Sequence, residues 1–218
     1  METERKSKRN KKERRLEREL LYIFGFLFFL VILFLIASSV FASFNRIEYE
    51  GLVFTKESFG QIPVFHHYYY FKAPTGNLIQ YNLYVRNDPT TNSVPIEGGT
   101  IRFEGRAAYI TLDTSYLTEC EDSIIAIADL TKYLADNQIN VKSGNMDFVE
   151  AAVNKQEYVT CENKPYENVI QILRGDETKI KVEGQCSTIT IGPECNILEA
   201  IEKFKIHAYL DAQQRDRL

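Results

Sequence analysis

The chain has 218 residues, of which 44% are apolar and 26% charged, a composition typical of folded proteins rather than disordered ones. Its formal charge of −4 is unevenly distributed: residues 1–19 carry nine Lys or Arg against five Glu, whereas residues 45–218 carry 17 Lys or Arg against 25 Asp or Glu. An acidic region of this size is poorly suited to a phosphate backbone, so no nucleic acid is expected as a partner.

The basic stretch, residues 1–19, is followed by 26 consecutive residues without a charge, from position 20 to position 45. As a helix this run would reach about 39 Å, more than the roughly 30 Å hydrocarbon core of a bilayer. It lacks the polar stripe of a surface helix. The sequence therefore predicts one transmembrane helix over residues 20–44, with the lipid bilayer as its partner.

The orientation of this helix follows from the charges on either side. Nine basic residues precede the helix, and only two lie close after it, at positions 46 and 56. The positive-inside rule then predicts a basic cytoplasmic tail over residues 1–19 and a single-pass protein of the cell membrane with an extracytoplasmic C-terminal domain. Arg14, Arg15 and Arg18 are predicted to contact the membrane surface.

A cleaved signal peptide is the alternative to an anchor, since small residues flank Phe41 near the end of the run. The apolar core of a signal peptide is typically 7–15 residues long, and this one exceeds 20. An uncleaved signal-anchor is therefore favoured. The mass of the mature protein distinguishes the two.

All four cysteines, Cys120, Cys161, Cys186 and Cys195, follow the predicted helix, as expected in an oxidising compartment. They predict two disulfide bonds. Cys186–Cys195 would close a short loop containing Gly192-Pro193, which leaves Cys120–Cys161 as the second bond. The C-x2-C pairs of structural zinc sites are missing, so no metal is expected.

The region after the helix divides into two predicted lobes. Residues 45–112 form a β-rich lobe with an antiparallel sheet, because segments 64–71 and 77–86 show the strand period and are separated by turn residues. Residues 113–218 form a mixed α/β lobe with the order β-α-β-α-β-β-β-β-α. Further strands are predicted at 51–54, 100–103, 108–112, 139–142, 158–161, 168–173, 178–183 and 187–191.

Helices in the second lobe are predicted from capping residues and from apolar periodicity. One begins at Asp122 or Ser123, one follows Asp147, and the last covers residues 194–213 with the apolar stripe Ile197, Ile201, Phe204 and Ala208. A hairpin turn is predicted at residues 174–177. The fold class is thus one N-terminal transmembrane α-helix followed by an exported α+β or α/β domain.

Three histidines are candidates for a site, but their positions do not predict one. His66 and His67 are neighbours in a predicted strand, so they point to opposite faces. His207 is expected at the rim of the last helix. The chain lacks the G-x-S-x-G and Gly-rich phosphate-loop motifs, and no catalytic residue or cofactor is expected from them.

Cys120 is the one weak catalytic candidate. It lies three residues before Ser123 at a predicted helix start, where thioredoxin-like proteins carry C-x-x-C or C-x-x-S, and a helix N-terminus favours a thiolate. Two acidic residues separate Cys120 from Ser123, which opposes the thiolate. Cys161 would also be available to bond Cys120, so a structural disulfide is expected.

Four segments, YNLYVRNDP (81–89), CEDSIIAIADL (120–130), YVTCENKPYENVIQI (158–172) and CSTITIGPECNILEAIEKF (186–204), resemble a group of uncharacterised archaeal proteins. Members of that group have one N-terminal span and an exported domain. The resemblance covers about residues 80–205 and implies no known activity.

The leading functional hypothesis is a non-enzymatic binding or interaction module of the cell envelope, with an envelope protein or a second copy of the chain as partner. One alternative is a membrane-tethered thiol–disulfide oxidoreductase that uses Cys120. Another is an accessory subunit or assembly factor of a membrane complex, in which the span itself forms the interface.

Overall fold

The computed structural model describes residues 2–73, 75–113 and 119–216, with the side chains of residues 2–19, 42 and 216 outside that description. The chain forms two units, residues 1–47 and residues 48–218. The first unit is dominated by helix α1, Glu2–Phe44. Within the described residues, α1 contains the only helical stretch long and apolar enough to cross a membrane, Leu20–Phe41, and its large apolar side chains are exposed. The side chains of Arg14, Arg15 and Arg18 lie outside the described part.

A four-stranded antiparallel sheet follows α1, and its strands lie in chain order. Its strands are β1 (Arg46–Tyr49), β2 (Leu52–Phe59), β3 (Ile62–Lys72) and β4 (Leu78–Val85). The predictions for β3 and β4 are confirmed, whereas β1 was not predicted and β2 is longer than expected. One face of this sheet is apolar and buried, and the other is open to solvent.

A six-stranded mixed sheet contains the remaining strands in the order β5-β9-β10-β8-β6-β7. All its pairs are parallel except β9 with β10. The strands are β5 (Ile96–Gly98), β6 (Ala107–Leu112), β7 (Asn140–Asn145), β8 (Asn168–Arg174), β9 (Lys179–Glu183) and β10 (Cys186–Ile191). Strand β6, expected in the β-rich lobe, pairs in this sheet, so the two sheets divide between β4 and β5 rather than at residue 112.

The hairpin predicted at residues 174–177 is wrong, because β10 lies between β8 and β9. The connection instead passes close to the end of β10, where the amide of Gly175 donates to the Ile191 carbonyl at 3.0 Å. A Cβ at Gly175 would lie 2.0 Å from the Thr190 side chain, so this approach requires glycine.

Two predicted strands are also not observed. Segment 158–161 contains one isolated bridge, between Asn145 and Tyr158, and segment 100–103 has no strand. In the latter, the Ile101 amide donates to the Asp211 carboxylate at 2.6 Å and its side chain is buried. The segment is held by a helix rather than by a neighbouring strand.

In the described part of the chain, three helices pack with the two sheets: α2 (Ser123–Asp136), α3 (Phe148–Asn154) and α4 (Ile197–Asp216). The predicted apolar stripe of α4 is confirmed, since all four of its residues are buried. Helix α4 packs against α2 and contacts strands of both sheets. It is buried on most sides, which explains why its sequence is apolar beyond a single stripe.

Buried charges connect α4 to the four-stranded sheet. The Glu202 carboxylate is 2% exposed and accepts hydrogen bonds from the Asn87 backbone at 3.1 Å and side chain at 2.9 Å. Burial raises the pKa of Glu202, and these hydrogen bonds oppose that shift. Lys205, 1% exposed, pairs with Asp129 of α2 and donates to the Tyr84 carbonyl at 3.2 Å. These contacts fix α2, α4 and β4 together.

All four cysteines lie in disulfides, but the predicted pairing is wrong. The bonds are Cys120–Cys195 and Cys161–Cys186, with Cα–Cα distances of 5.3 and 5.5 Å. Cys186 begins β10 and Cys195 follows its end, so about 16 Å of extended strand separates them. That distance exceeds the roughly 7 Å that a disulfide can bridge. Cys120–Cys195 instead joins the segments that lead into α2 and α4.

Asp147 caps α3, as the sequence predicted, and its carboxylate accepts from the backbone amides of Val149 and Glu150, both at 2.8 Å. Replacing Asp147 with Ala is expected to lower the free energy of unfolding by about 1 kcal/mol, because two amides lose their acceptor. Asp122→Ala is the control, since Asp122 precedes α2 without a capping hydrogen bond. Urea unfolding followed by circular dichroism should show the larger loss for Asp147→Ala.

Candidate functional site

A cleft of about 610 Å³ lies where the end of β3 meets the end of α2 and the last turns of α4. This volume is within the range of small-molecule sites. The lining residues are Tyr69, Tyr70, Phe71, Lys72, Phe103, Gly105, Arg106, Tyr133, Asn137, Gln138, Ile139, Ala208, Tyr209, Ala212, Gln213 and Arg215. We refer to it as the aromatic cleft.

The floor of the aromatic cleft is a set of ordered phenol rings. Tyr69 and Tyr209 stack with ring centroids 3.9 Å apart and planes 16° from parallel. The Tyr69 hydroxyl donates to the Asn137 side-chain oxygen at 2.8 Å, and Asn137 donates to the Tyr133 carbonyl at 2.8 Å. This chain of contacts holds the rings in place, so the floor is formed before any ligand arrives.

Small residues on α4 leave the space above this floor. Ala208 and Ala212 lie one helical turn apart and both line the cleft. Gly105 lines the opposite side with φ +78°, where nothing lies within 4 Å of an added Cβ. Larger side chains at the two alanines would fill the cavity that they now border.

The rim of the aromatic cleft is cationic, although the domain as a whole is acidic. Lys72, Arg106 and Arg215 line it and are exposed. None of the described residues lining the cleft is Asp or Glu. Three cations and no Asp or Glu among the described lining residues, next to aromatic rings, favour an anionic ligand with a planar or apolar part.

Tyr69 and Tyr133, two phenols that line the cleft, remain neutral at physiological pH. Burial raises the pKa of Tyr69, of Tyr81 behind it and of Tyr133 well above the ordinary value of 10. Neutral phenols do not repel an anion. These phenols therefore do not oppose the attraction of an anion to the cationic rim.

Cys120, the weak catalytic candidate, lies outside the aromatic cleft. Its side chain is 3% exposed and bonded to Cys195, and none of the four cysteines is free. A buried disulfide between two segments 75 residues apart lacks the exposed thiol that exchange requires. The arrangement favours a structural bond.

His66 and His67 point to opposite faces of the sheet, as predicted. His66 stacks on Tyr84 on the open face, while His67 packs against Phe54 and Tyr209 on the buried face. Burial lowers the pKa of His67, whose Nδ1 lies 2.9 Å from the Val53 carbonyl. The two rings therefore have separate surroundings and cannot share a ligand.

His207 lies in a half-buried cluster at the other side of α4. Lys203 donates to the Tyr49 hydroxyl at 2.6 Å and to the Asn92 carbonyl at 3.2 Å, and the Tyr49 hydroxyl lies 3.3 Å from His207 Nε2. Burial lowers the pKa of Lys203 and His207 and raises that of Tyr49. Side chains with pKa values shifted by burial also occur in active sites. Here they connect the end of β1 to α4, and none lines the aromatic cleft.

The described residues contain no group of three or more His, Cys, Asp or Glu placed to hold a metal ion. The residues of the aromatic cleft were not predicted as a site, because β3, α2 and α4 lie far apart in sequence. Two features of the sequence correspond to parts of the cleft: the aromatic run 68–71, and the two alanines spaced four residues apart on the last helix.

No family model, curated protein or solved structure matches this chain. The aromatic cleft must therefore be interpreted from its own geometry and chemistry.

Proposed function

We propose that the protein is a single-pass membrane protein whose extracytoplasmic domain is a non-enzymatic binding module of the cell envelope. The apolar stretch Leu20–Phe41 and the basic residues before it support the membrane location and the orientation. The two disulfides support an oxidising compartment. An N-terminal span would keep the binding module at the membrane surface.

The aromatic cleft is the observation that carries this proposal. Its ordered rings and its three lining cations, Lys72, Arg106 and Arg215, favour a ligand that combines a planar or apolar body with a carboxylate, sulfonate or phosphate group. Such a group could belong to a free small molecule or to an exposed part of an envelope component. Neutral phenols at the floor suit binding better than proton transfer at neutral pH.

Naphthalene-2-sulfonate is a suitable probe, and its uncharged counterpart is 2-naphthol. We expect the full chain in phospholipid nanodiscs to bind the sulfonate more tightly in equilibrium dialysis. Replacing both Lys72 and Arg106 with Gln should weaken sulfonate binding about tenfold, equivalent to ~1.4 kcal/mol, and leave 2-naphthol binding unchanged.

The control is Lys181→Gln, which removes an exposed cation from β9, outside the aromatic cleft. It should leave the binding of both probes unchanged. Equal affinity of the unmodified chain for the sulfonate and for 2-naphthol, or an equal loss in the control, would contradict the proposed ligand class.

A further inference from the structure

The open face of the four-stranded sheet carries an ordered set of aromatic and polar side chains. We call this set the platform, and its members are Glu57, Phe59, His66, Tyr68, Tyr70, Gln80, Asn82 and Tyr84. On β3 and β4 they alternate with half-buried or buried residues, whereas their β2 neighbours Lys56 and Ser58 are exposed. The strand register places all eight on one face. The two central rings, Tyr68 and Tyr70, are more than half exposed.

A continuous hydrogen-bond network crosses the platform through three strands. Glu57 Oε1 lies 2.8 Å from His66 Nδ1, and His66 Nε2 lies 3.1 Å from Asn82 Oδ1. Gln80 donates to the same Asn82 oxygen at 3.1 Å, and the Tyr70 hydroxyl donates to Gln80 Oε1 at 3.1 Å. Both nitrogens of His66 thus lie within hydrogen-bond distance of a side-chain oxygen.

Ordering exposed polar side chains in this way costs side-chain entropy. Neither the core nor the sheet hydrogen bonds require the network, because its members point away from both. Surface groups held in fixed positions lose less entropy when a ligand binds. The network therefore suits recognition better than it suits stability.

Aromatic rings border this network on both sides. His66 and Tyr84 stack with centroids 4.5 Å apart and planes 17° from parallel. Along β3 the centroids of His66, Tyr68 and Tyr70 are spaced by 6.3 and 6.1 Å, which makes a row of three rings. Phe59 extends the surface beyond Tyr84 at 5.4 Å.

We propose that the platform binds an uncharged oligosaccharide chain. A pyranose ring presents a face of C–H groups, which packs on the electron-rich face of an aromatic ring. Its hydroxyls both donate and accept, and they match the amides of Gln80 and Asn82 and the carboxylate of Glu57. The one carboxylate of the platform, Glu57, contacts His66 at 2.8 Å, so the platform presents no cluster of charges to attract an ion.

The same features disfavour a lipid surface as the occupant. Glu57, His66, Asn82 and Gln80 would lose water without gaining new partners if the platform entered the hydrocarbon region of a bilayer. An oligosaccharide supplies hydroxyl groups where that water lies. The platform shares Tyr70 with the aromatic cleft, whereas Tyr68, Gln80 and the other platform residues lie outside the cleft lining.

Saturation-transfer NMR on the full chain in phospholipid nanodiscs tests the proposal, with cellohexaose, chitohexaose, maltohexaose and mannohexaose as probes. Nanodiscs are needed because alkyl glycoside detergents carry sugars that would compete. We expect transfer from the protein to the ring C–H protons of at least one hexasaccharide. Tyr68→Ala should weaken its binding about tenfold. Gln80→Ala removes an amide and the acceptor of the Tyr70 hydroxyl but no ring, and it should also weaken binding.

Tyr166→Ala is the matched control, because Tyr166 is 87% exposed and lies outside the platform. It should leave hexasaccharide binding unchanged. Three outcomes would overturn the proposal: no transfer to any of the four probes, an equal loss in Tyr166→Ala, or a self-association that Tyr68→Ala abolishes in the absence of sugar binding.

Discussion

Replacing Cys120 and Cys195 together with Ala is expected to lower the free energy of unfolding of the domain by about 4 kcal/mol. The bond closes a loop of 75 residues, and the entropy of the unfolded chain rises substantially when such a loop opens. The figure of about 4 kcal/mol takes the second disulfide into account, because that bond lies within the 75-residue loop and shortens its effective length. Urea unfolding of the full chain in nanodiscs, without reductant, measures the change.

The comparison is the double replacement of Cys161 and Cys186, whose sequence separation is 25. Loop-closure entropy gives about 3.5 kcal/mol for this bond. Mass mapping of peptides from the unreduced chain should find Cys120 bonded to Cys195 and Cys161 bonded to Cys186. A peptide that joins Cys186 to Cys195 would contradict the fold, since it would place both ends of β10 together.

Asp129→Asn is the second substitution with a large expected effect. It leaves the Lys205 ammonium, 1% exposed, without its carboxylate partner. Removing one member of a buried pair typically costs 3–5 kcal/mol. Because Asp129 itself is 32% exposed, water can partly replace it, and we expect a loss of about 3 kcal/mol in urea unfolding.

Asp136→Asn on the same helix is the matched control. Asp136 pairs with Lys132 one turn away, and both side chains are exposed, so the expected loss is only about 0.3–0.5 kcal/mol. Adding Lys205→Met to Asp129→Asn should recover part of the stability, because the buried charge is then gone. Similar losses for Asp129→Asn and Asp136→Asn would show that the Lys205 contact does not stabilise the fold.

Local features of the sequence predicted local features of the structure well. Asp147 begins a short helix because its carboxylate can accept from free amides, a property of the residue and its near neighbours. The strand period separated His66 from His67, and the helical period identified the buried stripe of α4. Each of these follows from backbone geometry over a few residues.

Features that depend on contacts distant in sequence were not predicted. The order of β8, β9 and β10 depends on which strands pair with each other in the sheet. Turn residues at 174–177 are compatible both with a hairpin and with a connection to a strand that is not adjacent. The disulfide pairing failed for the same reason, since it follows from strand order and from the packing of α2 on α4. The aromatic cleft likewise combines elements from three separate parts of the chain.

The location of the domain is the central claim, and protease accessibility in intact cells tests it most directly. The full chain would carry one epitope at each end and be expressed in a bacterial host. The outer membrane and cell wall of the host are then removed, and the cytoplasmic membrane is left intact. We expect added protease to remove the C-terminal epitope at once and the N-terminal epitope only after the membrane is permeabilised. A C-terminal epitope that stays protected until permeabilisation would contradict the proposed orientation of the domain.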